Sequence, residues 1–171
     1  MTIEEIIAEQ SVAMADQMLQ IAEYAKSERE VELECFAQIK AFCAKAGVKI
    51  TGEFDRTIGS GRPDAHYQGL IIEYKNPSNA ATRIGPGPNS SGTKAVVKQI
   101  KERFPEFERQ LHYALKRLIG VGCDGRMLIF VRYRDGRWDI ESPQLIAIAT
   151  NAIFEASTAA SADQGDASEG D

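Results

Sequence analysis

Residues 64–75, DAHYQGLIIEYK, constrain the fold more than any other stretch of the chain. Two short runs of alternating or apolar residues flank Gln68-Gly69, and a two-residue turn there folds them into a β-hairpin. Tyr67 then faces Leu70, His66 faces Ile71, Ala65 faces Ile72 and Asp64 faces Glu73. Side chains alternate along a strand, so Glu73 and Lys75 share the face of Ile71 while Tyr74 points away. Directly opposed residues on one face have Cβ atoms roughly 5 Å apart. The register therefore brings Asp64, Glu73 and Lys75 together, unless a bulge shifts it by one residue.

Two opposed carboxylates repel each other. A divalent cation between them removes that cost, and oxygen ligands suit Mg²⁺ or Mn²⁺. Lys75 then serves as a charge partner or orients water. The alternative is a strand end that reaches solvent, with Glu73 and Lys75 simply exposed.

Helical spacing of apolar residues predicts a helix over 3–25 and a second from about Glu28 to Ala46, stopped by Gly47. VKITGEF (48–54) reads as a strand, and residues 76–93, rich in Gly, Pro, Ser and Asn, as a long loop. Two helices are expected next, Lys94–Arg103 and Pro105–Ile119, with Pro105 opening the second at its first position. RMLIFVRYR and RWDIE are strands joined by an Asp135-Gly136 turn. A last helix is expected over Pro143–Ala156. Residues 157–171 contain no large apolar side chain and read as a disordered acidic tail or linker. The expected organisation is an N-terminal helix (1–27), a domain over 28–156 and that tail. The class is α/β: a small mixed sheet flanked by helices, with an extra N-terminal helix.

The net charge of −5 conceals a strong asymmetry. Residues 1–34 hold nine acidic and two basic side chains, and residues 155–171 hold five acidic and none basic. Residues 35–154 hold eighteen basic and eleven acidic ones. A basic middle between acidic ends is compatible with nucleic-acid binding, and equally with an uneven solvated surface. No apolar run is long enough to span a membrane. Three scattered cysteines (Cys35, Cys43, Cys123) make neither a disulfide framework nor a zinc site, and a cytoplasmic location is expected.

Pro63-Asp64, eight intervening residues, then Glu73-Tyr74-Lys75 after LII resembles the PD-(D/E)xK signature of restriction-endonuclease-like nucleases. The resemblance covers roughly Glu28 to Glu141. It implies an αβββαβ core and Mg²⁺- or Mn²⁺-dependent hydrolysis of DNA phosphodiesters, in restriction or repair. By that likeness Asp64 and Glu73 hold the metal and Lys75 positions or activates the attacking water. The rival reading is an inactive DNA-binding or assembly module of the same fold.

Such nucleases often carry an acidic residue on the helix before the first strand. Glu32 lies near the centre of the apolar face made by Val31, Cys35, Phe36, Ile39, Phe42 and Cys43, where a carboxylate is costly unless paired or metal-bound. Related nucleases also place Gln-x-x-Tyr on the helix after the motif, which Gln110 and Tyr113 match. A surface Gln and a rim Tyr explain that pair nearly as well. Arg83, Lys94, Lys98 and Lys101 flank the long loop as candidates for DNA phosphate contacts. GVGCDGRMLIFVRYRDGRW is similar to the segment after the nuclease motif in the N-terminal nuclease domains of type IIG restriction–modification enzymes, whose chains continue into a DNA methyltransferase. No methyltransferase motif is visible here. Expected partners are DNA and either a second copy or a methyltransferase, covalently joined or separate. His66 could touch DNA, although a lone histidine is more often structural; Cys35, Cys43 and Trp138 read as packing residues.

Overall fold

A computed structural model of the protein describes residues 2–47, 52–54, 65–67 and 69–146. Helix α1 (Ile3–Tyr24) starts at a capping box: the Thr2 hydroxyl accepts from the Glu5 backbone N–H, and the Glu5 carboxylate accepts from the Thr2 N–H. Helix α2 (Glu28–Lys45) is capped by Ser27, and the chain leaves it through Gly47 at φ +77°, a conformation that suits glycine. Strands β1 (Gly52–Phe54), β2 (Ala65–Tyr67) and β3 (Leu70–Tyr74) follow. Helix α3 (Ser91–Leu111) and one 3₁₀ turn (Leu115–Arg117) lead to β4 (Ile119–Cys123), β5 (Met127–Arg134), β6 (Arg137–Ile140) and β7 (Gln144–Leu145).

The described strands form one mixed sheet in the order β1-β2-β3-β4-β5-β6, with β7 also pairing to β5. Only the β3–β4 pair is parallel among these, and α3 is its crossover. The fold is therefore α/β, a small mixed sheet with helices on both faces. The hairpin register is the expected one, with Tyr67 opposite Leu70, His66 opposite Ile71 and Ala65 opposite Ile72.

Alternation along β3 divides two cores. Leu70, Ile72 and Tyr74 pack with Met18 and Ile21 of α1 and with Val31, Cys35 and Ile39 of α2. Ile71 lies on the other face, with Val96, Ile100, Phe104 and Phe107 of α3. Cys35 and Cys43 are core residues, as expected.

Four elements differ from the sequence expectation. Pro105 does not open a new helix. It lies inside α3, because the buried stripe Val96, Ile100, Phe104, Phe107 runs through it in register. Packing of that face offsets the roughly 3 kcal/mol that an interior proline costs. The helix does not reach Ile119 but ends at Leu111, where His112 turns left-handed at φ 59°. The stretch 119–123, IGVGC, carries no strand signal in the sequence, yet it is a fully buried strand at the sheet centre. Gln144 and Leu145 pair with Leu128 and Met127 as β7 instead of starting a helix. Ile146 is helical, and residues 147–156 of that expected helix, residues 48–51 of the expected first strand, the loop 56–63 and the acidic tail lie outside the described residues.

The two glycines of β4 explain how α3 meets the sheet. A Cβ on Gly120 would lie 2.1 Å from Cγ2 of Ile100, and one on Gly122 would lie 3.0 Å from Cγ2 of Val96. Their missing side chains let the helix sit close over β3 and β4. The loop between β3 and α3 is tied down around residues 82–84. Asp124 accepts the backbone N–H groups of Ile84, Arg126 and Met127, and the carbonyls of Thr82 and Arg83 pass within 2.6 Å and 2.0 Å of where Gly92 would carry a Cβ.

Candidate active site

The C-terminal end of β3 puts two charged side chains into the protein. Glu73 and Lys75 are both buried, separated by the equally buried Tyr74. A buried charge is expensive unless it is paired and hydrogen-bonded. Each has a partner, and the partners come from different helices. Arg103 of α3 donates from Nε to Oε1 of Glu73 at 2.9 Å, with only 12% and 3% of the two side chains exposed. Lys75 donates from Nζ to Oε1 of Glu28, the first residue of α2, at 3.2 Å; 7% of the lysine side chain is exposed and 44% of the glutamate's.

The placement of Glu28 is built in by the chain around it. The loop after Lys75 holds the α1–α2 junction: Asn76 Nδ2 donates to the Lys26 carbonyl at 3.1 Å, and Ser78 Oγ to the Ala25 carbonyl at 3.1 Å. The Lys75 backbone N–H donates to the Cys123 carbonyl at 2.9 Å, extending the parallel pairing past β3. The strand end, the start of α2 and the end of β4 are thus fixed to one another.

Burial pushes the Glu73 carboxyl above the usual glutamate range. The hydrogen bond and charge of Arg103, then the charge of Lys75, oppose the shift, and Glu28 adds to it. Glu28 and Glu73 therefore sense each other across Lys75. Two carboxylates, an ammonium and the Arg103 guanidinium share this end of the sheet, a set of paired charges suited to holding a proton or a polarised water.

Asp64, the expected partner of Glu73, lies outside the described residues. Among the described residues no three His, Cys, Asp or Glu side chains converge as a metal cluster. Glu32 is buried as expected, but its partner is Arg29 at 2.5 Å. Glu28, one turn earlier on the same helix face, is the acid that meets Lys75. Gln110 is exposed and donates to Glu106 at 3.1 Å, about two turns beyond Arg103, so the structure does not bring it to Glu73.

Two residues of this site escape a reading of the sequence by motif, Glu28 and Arg103. The signal for Glu28 is its spacing of four from Glu32, which stacks both on one helix face. Arg103 closes the helix expected over Lys94–Arg103, where no motif singles it out; its bond to Glu73 shows only in the structure. Gln99, one turn before Arg103, is a third α3 residue of interest. Its side-chain oxygen is buried and has no hydrogen-bond partner among the described residues.

His66 packs edge-on against the Phe107 ring at 5.2 Å, a structural position. Trp138 packs on Phe104 and Tyr133, with the Lys101 ammonium 5.2 Å above its ring. Lys94, Lys98 and Lys101 line a groove of about 730 Å³ floored by Val97, Pro105, Ile129 and Ile140. This groove faces β5 and β6. Arg103, about 180° around α3 from Lys94, faces β3, so the lysines and Glu73 flank the helix on opposite sides. Lys98 is partly offset by Glu102 at 3.8 Å, and Arg83 is exposed in the loop before α3.

No protein-family model, curated protein or solved structure matches the chain. Among the described residues no helix is long and apolar enough to cross a membrane.

Proposed function

We propose that the protein is a metal-dependent DNA nuclease domain with a restriction-endonuclease-like core. The observation that carries this reading is the burial of Glu73 and Lys75 at one strand end, each tied to a different helix. A solvent-facing strand end has no need of such pairing. The element order α2-β1-β2-β3-α3-β4 supports it, because it matches the αβββαβ order that the resemblance to PD-(D/E)xK nucleases implies.

The donors fit a hard cation. Glu73, together with Asp64, would supply carboxylate oxygens to Mg²⁺ or Mn²⁺. Bound there, the metal supplies Lewis acidity toward a phosphate oxygen and acidifies water. Lys75 has three N–H donors and gives one to Glu28, so its ammonium can hold a water or a phosphate oxygen with the others. Glu28, nearly half exposed, is placed to take a proton from that water and release it to solvent. Lys94, Lys98, Lys101 and Arg83 would carry backbone phosphates of DNA without reading its sequence, the three lysines on the side of α3 away from Glu73 and so at phosphates distant from the one cleaved.

One observation favours a second reading. Arg103 already neutralises Glu73, as a fixed cation does in a fold that has given up metal chemistry. An inactive DNA-binding or assembly module would keep that pair for stability. Supercoiled plasmid incubated with the protein in Mg²⁺, Mn²⁺ or EDTA separates the two. Nicked or linear product with either metal and none with EDTA is expected of the nuclease; DNA binding without product in any condition is the outcome of the inactive module. A methyltransferase partner, within a longer restriction–modification chain or separate, is compatible with either.

A further inference from the structure

We infer that Arg103 is a built-in counter-cation that holds the Glu73 carboxylate until a divalent metal displaces it, and that Gln99 receives the displaced guanidinium. This rests on the reading of Glu73 as a metal ligand.

Glu73 is too deeply buried to stand alone as a charge, so a metal-free protein needs another cation at that place. Arg103 fills it through a 2.9 Å charge-assisted hydrogen bond. The glycines of β4 keep α3 close over the sheet, so the arginine cannot leave by a shift of the helix. Its side chain has to rotate instead. One turn earlier on the same flank, Gln99 presents a buried oxygen with no hydrogen-bond partner among the described residues. An unmet buried acceptor carries a desolvation cost that only a donor removes. Residues four apart on a helix are neighbours, and a guanidinium is all donors, so Gln99 and Arg103 are matched for a second position of the arginine. The two positions make a cation exchange. The metal takes the carboxylate, and the arginine moves to the amide oxygen, still beside the site and able to meet a phosphate.

Thermal melts and calorimetric titration with MnCl₂ alone test this, using wild type, Arg103→Met, Gln99→Leu and the exposed control Arg109→Met. Without metal, Arg103→Met melts lower than wild type, because Glu73 loses its partner. Its melting temperature rises more with Mn²⁺ than that of wild type, and it binds Mn²⁺ roughly tenfold to a hundredfold more tightly, as expected when a competing charged hydrogen bond is removed. Gln99→Leu keeps or gains metal-free stability but binds Mn²⁺ more weakly than wild type, since the displaced arginine has no acceptor. Arg109→Met behaves as wild type. If Mn²⁺ stabilises wild type and Arg103→Met equally, or wild type more, the exchange is wrong while the metal site stands. If Arg103→Met does not fold, an unchanged Mn²⁺ affinity in Gln99→Leu is enough to overturn it. If Mn²⁺ stabilises none of these proteins, Glu73 is not a ligand and the metal reading falls with the exchange.

Discussion

Replacing Gly120 by alanine tests whether β4 glycines set the height of α3 over the site. The new Cβ would lie 2.1 Å from Cγ2 of Ile100 and 3.2 Å from Cε1 of Phe104. Carbon atoms pack at about 3.5–4.0 Å, so the Ile100 contact demands a retreat of about 1.5 Å. A β-branched residue on a helix has one favoured rotamer, so Ile100 cannot turn its methyl away cheaply. The helix backbone must move. Overpacking of this kind costs about 1–3 kcal/mol. The lower entropy of the unfolded chain returns about 0.4–1 kcal/mol of that. A net loss of about 1–2 kcal/mol is expected, a fall of about 2–4 °C in Tm per kcal/mol for a chain of this size. Urea denaturation of wild type, Gly120→Ala, Ile100→Ala and the double variant makes the test specific. Ile100→Ala alone leaves a cavity and costs about 2–5 kcal/mol. In the double variant the alanine at 120 occupies space that Ile100 vacates, so the pair costs at least about 1 kcal/mol less than the sum of the singles. Costs that add to within about 0.5 kcal/mol would refute the argument, because they would mean that the Cβ and the isoleucine never compete. The retreat also opens the 2.9 Å Arg103–Glu73 bond, so a change in packing on one strand reaches the site on the next.

Other expectations follow from the same geometry. Asp124→Asn turns an amide N–H₂ toward at least one of the N–H groups that the carboxylate now accepts, so it should cost about 1–3 kcal/mol in urea denaturation at neutral pH. Burial raises the Asp124 pKa above its ordinary value of 3.8 despite those bonds, so the native state binds its proton more readily than the unfolded chain. That contribution to stability is full below 3.8 and is lost as pH rises through the raised folded value. Acidification from neutrality toward 3.8 should therefore widen the gap between wild type and Asp124→Asn; a gap that narrows would show that the folded value is depressed. The thiols of Cys35, Cys43 and Cys123 are buried, and the hydrogen bond to Cys123 together with burial pushes the Cys35 pKa up, so a thiol reagent should label none of them before urea unfolds the chain. DNA affinity should fall with salt, and reversing the charge of Lys94 and Lys98 should weaken binding to unrelated sequences alike and flatten the salt slope by roughly one for each phosphate no longer neutralised. Fluorescence anisotropy reads both, and affinity that is flat in salt would count the lysines as solvated surface.

The hairpin was legible in the sequence because a two-residue turn leaves one register, and that register carried Glu73 and Lys75 to one end of the sheet. Helices α1 and α2 were legible from caps and spacing, the local signals of Thr2, Ser27 and Gly47. Strand β4 was hidden. Its two glycines have poor strand propensity, and their purpose is to admit Ile100 and Val96, which lie 20 and 26 residues away in sequence. The same non-local packing carried α3 through Pro105, against the local preference for a break. Arg103 closed the helix expected over 94–103, and no motif singled it out. Glu32 was singled out because burial is visible in an apolar stripe; the spacing of four puts Glu28 on the same face, but its meeting with Lys75 depends on the loop bonds of Asn76 and Ser78, which are not local signals.

The central claim is that Glu73 and Lys75 form a catalytic site, and Lys75→Met tests it most directly. Methionine is close to lysine in length and apolar, and Glu28 remains nearly half exposed, so removing the ammonium strands no buried charge. The variant should keep the circular dichroism spectrum of wild type and most of its DNA affinity, since the α3 lysines are unchanged. Cleavage of supercoiled plasmid in Mn²⁺ should be present for wild type and lost for Lys75→Met. Cleavage by the folded variant at the wild-type rate would contradict the account and leave residues 64–75 as a hairpin with a buried ion pair at its end.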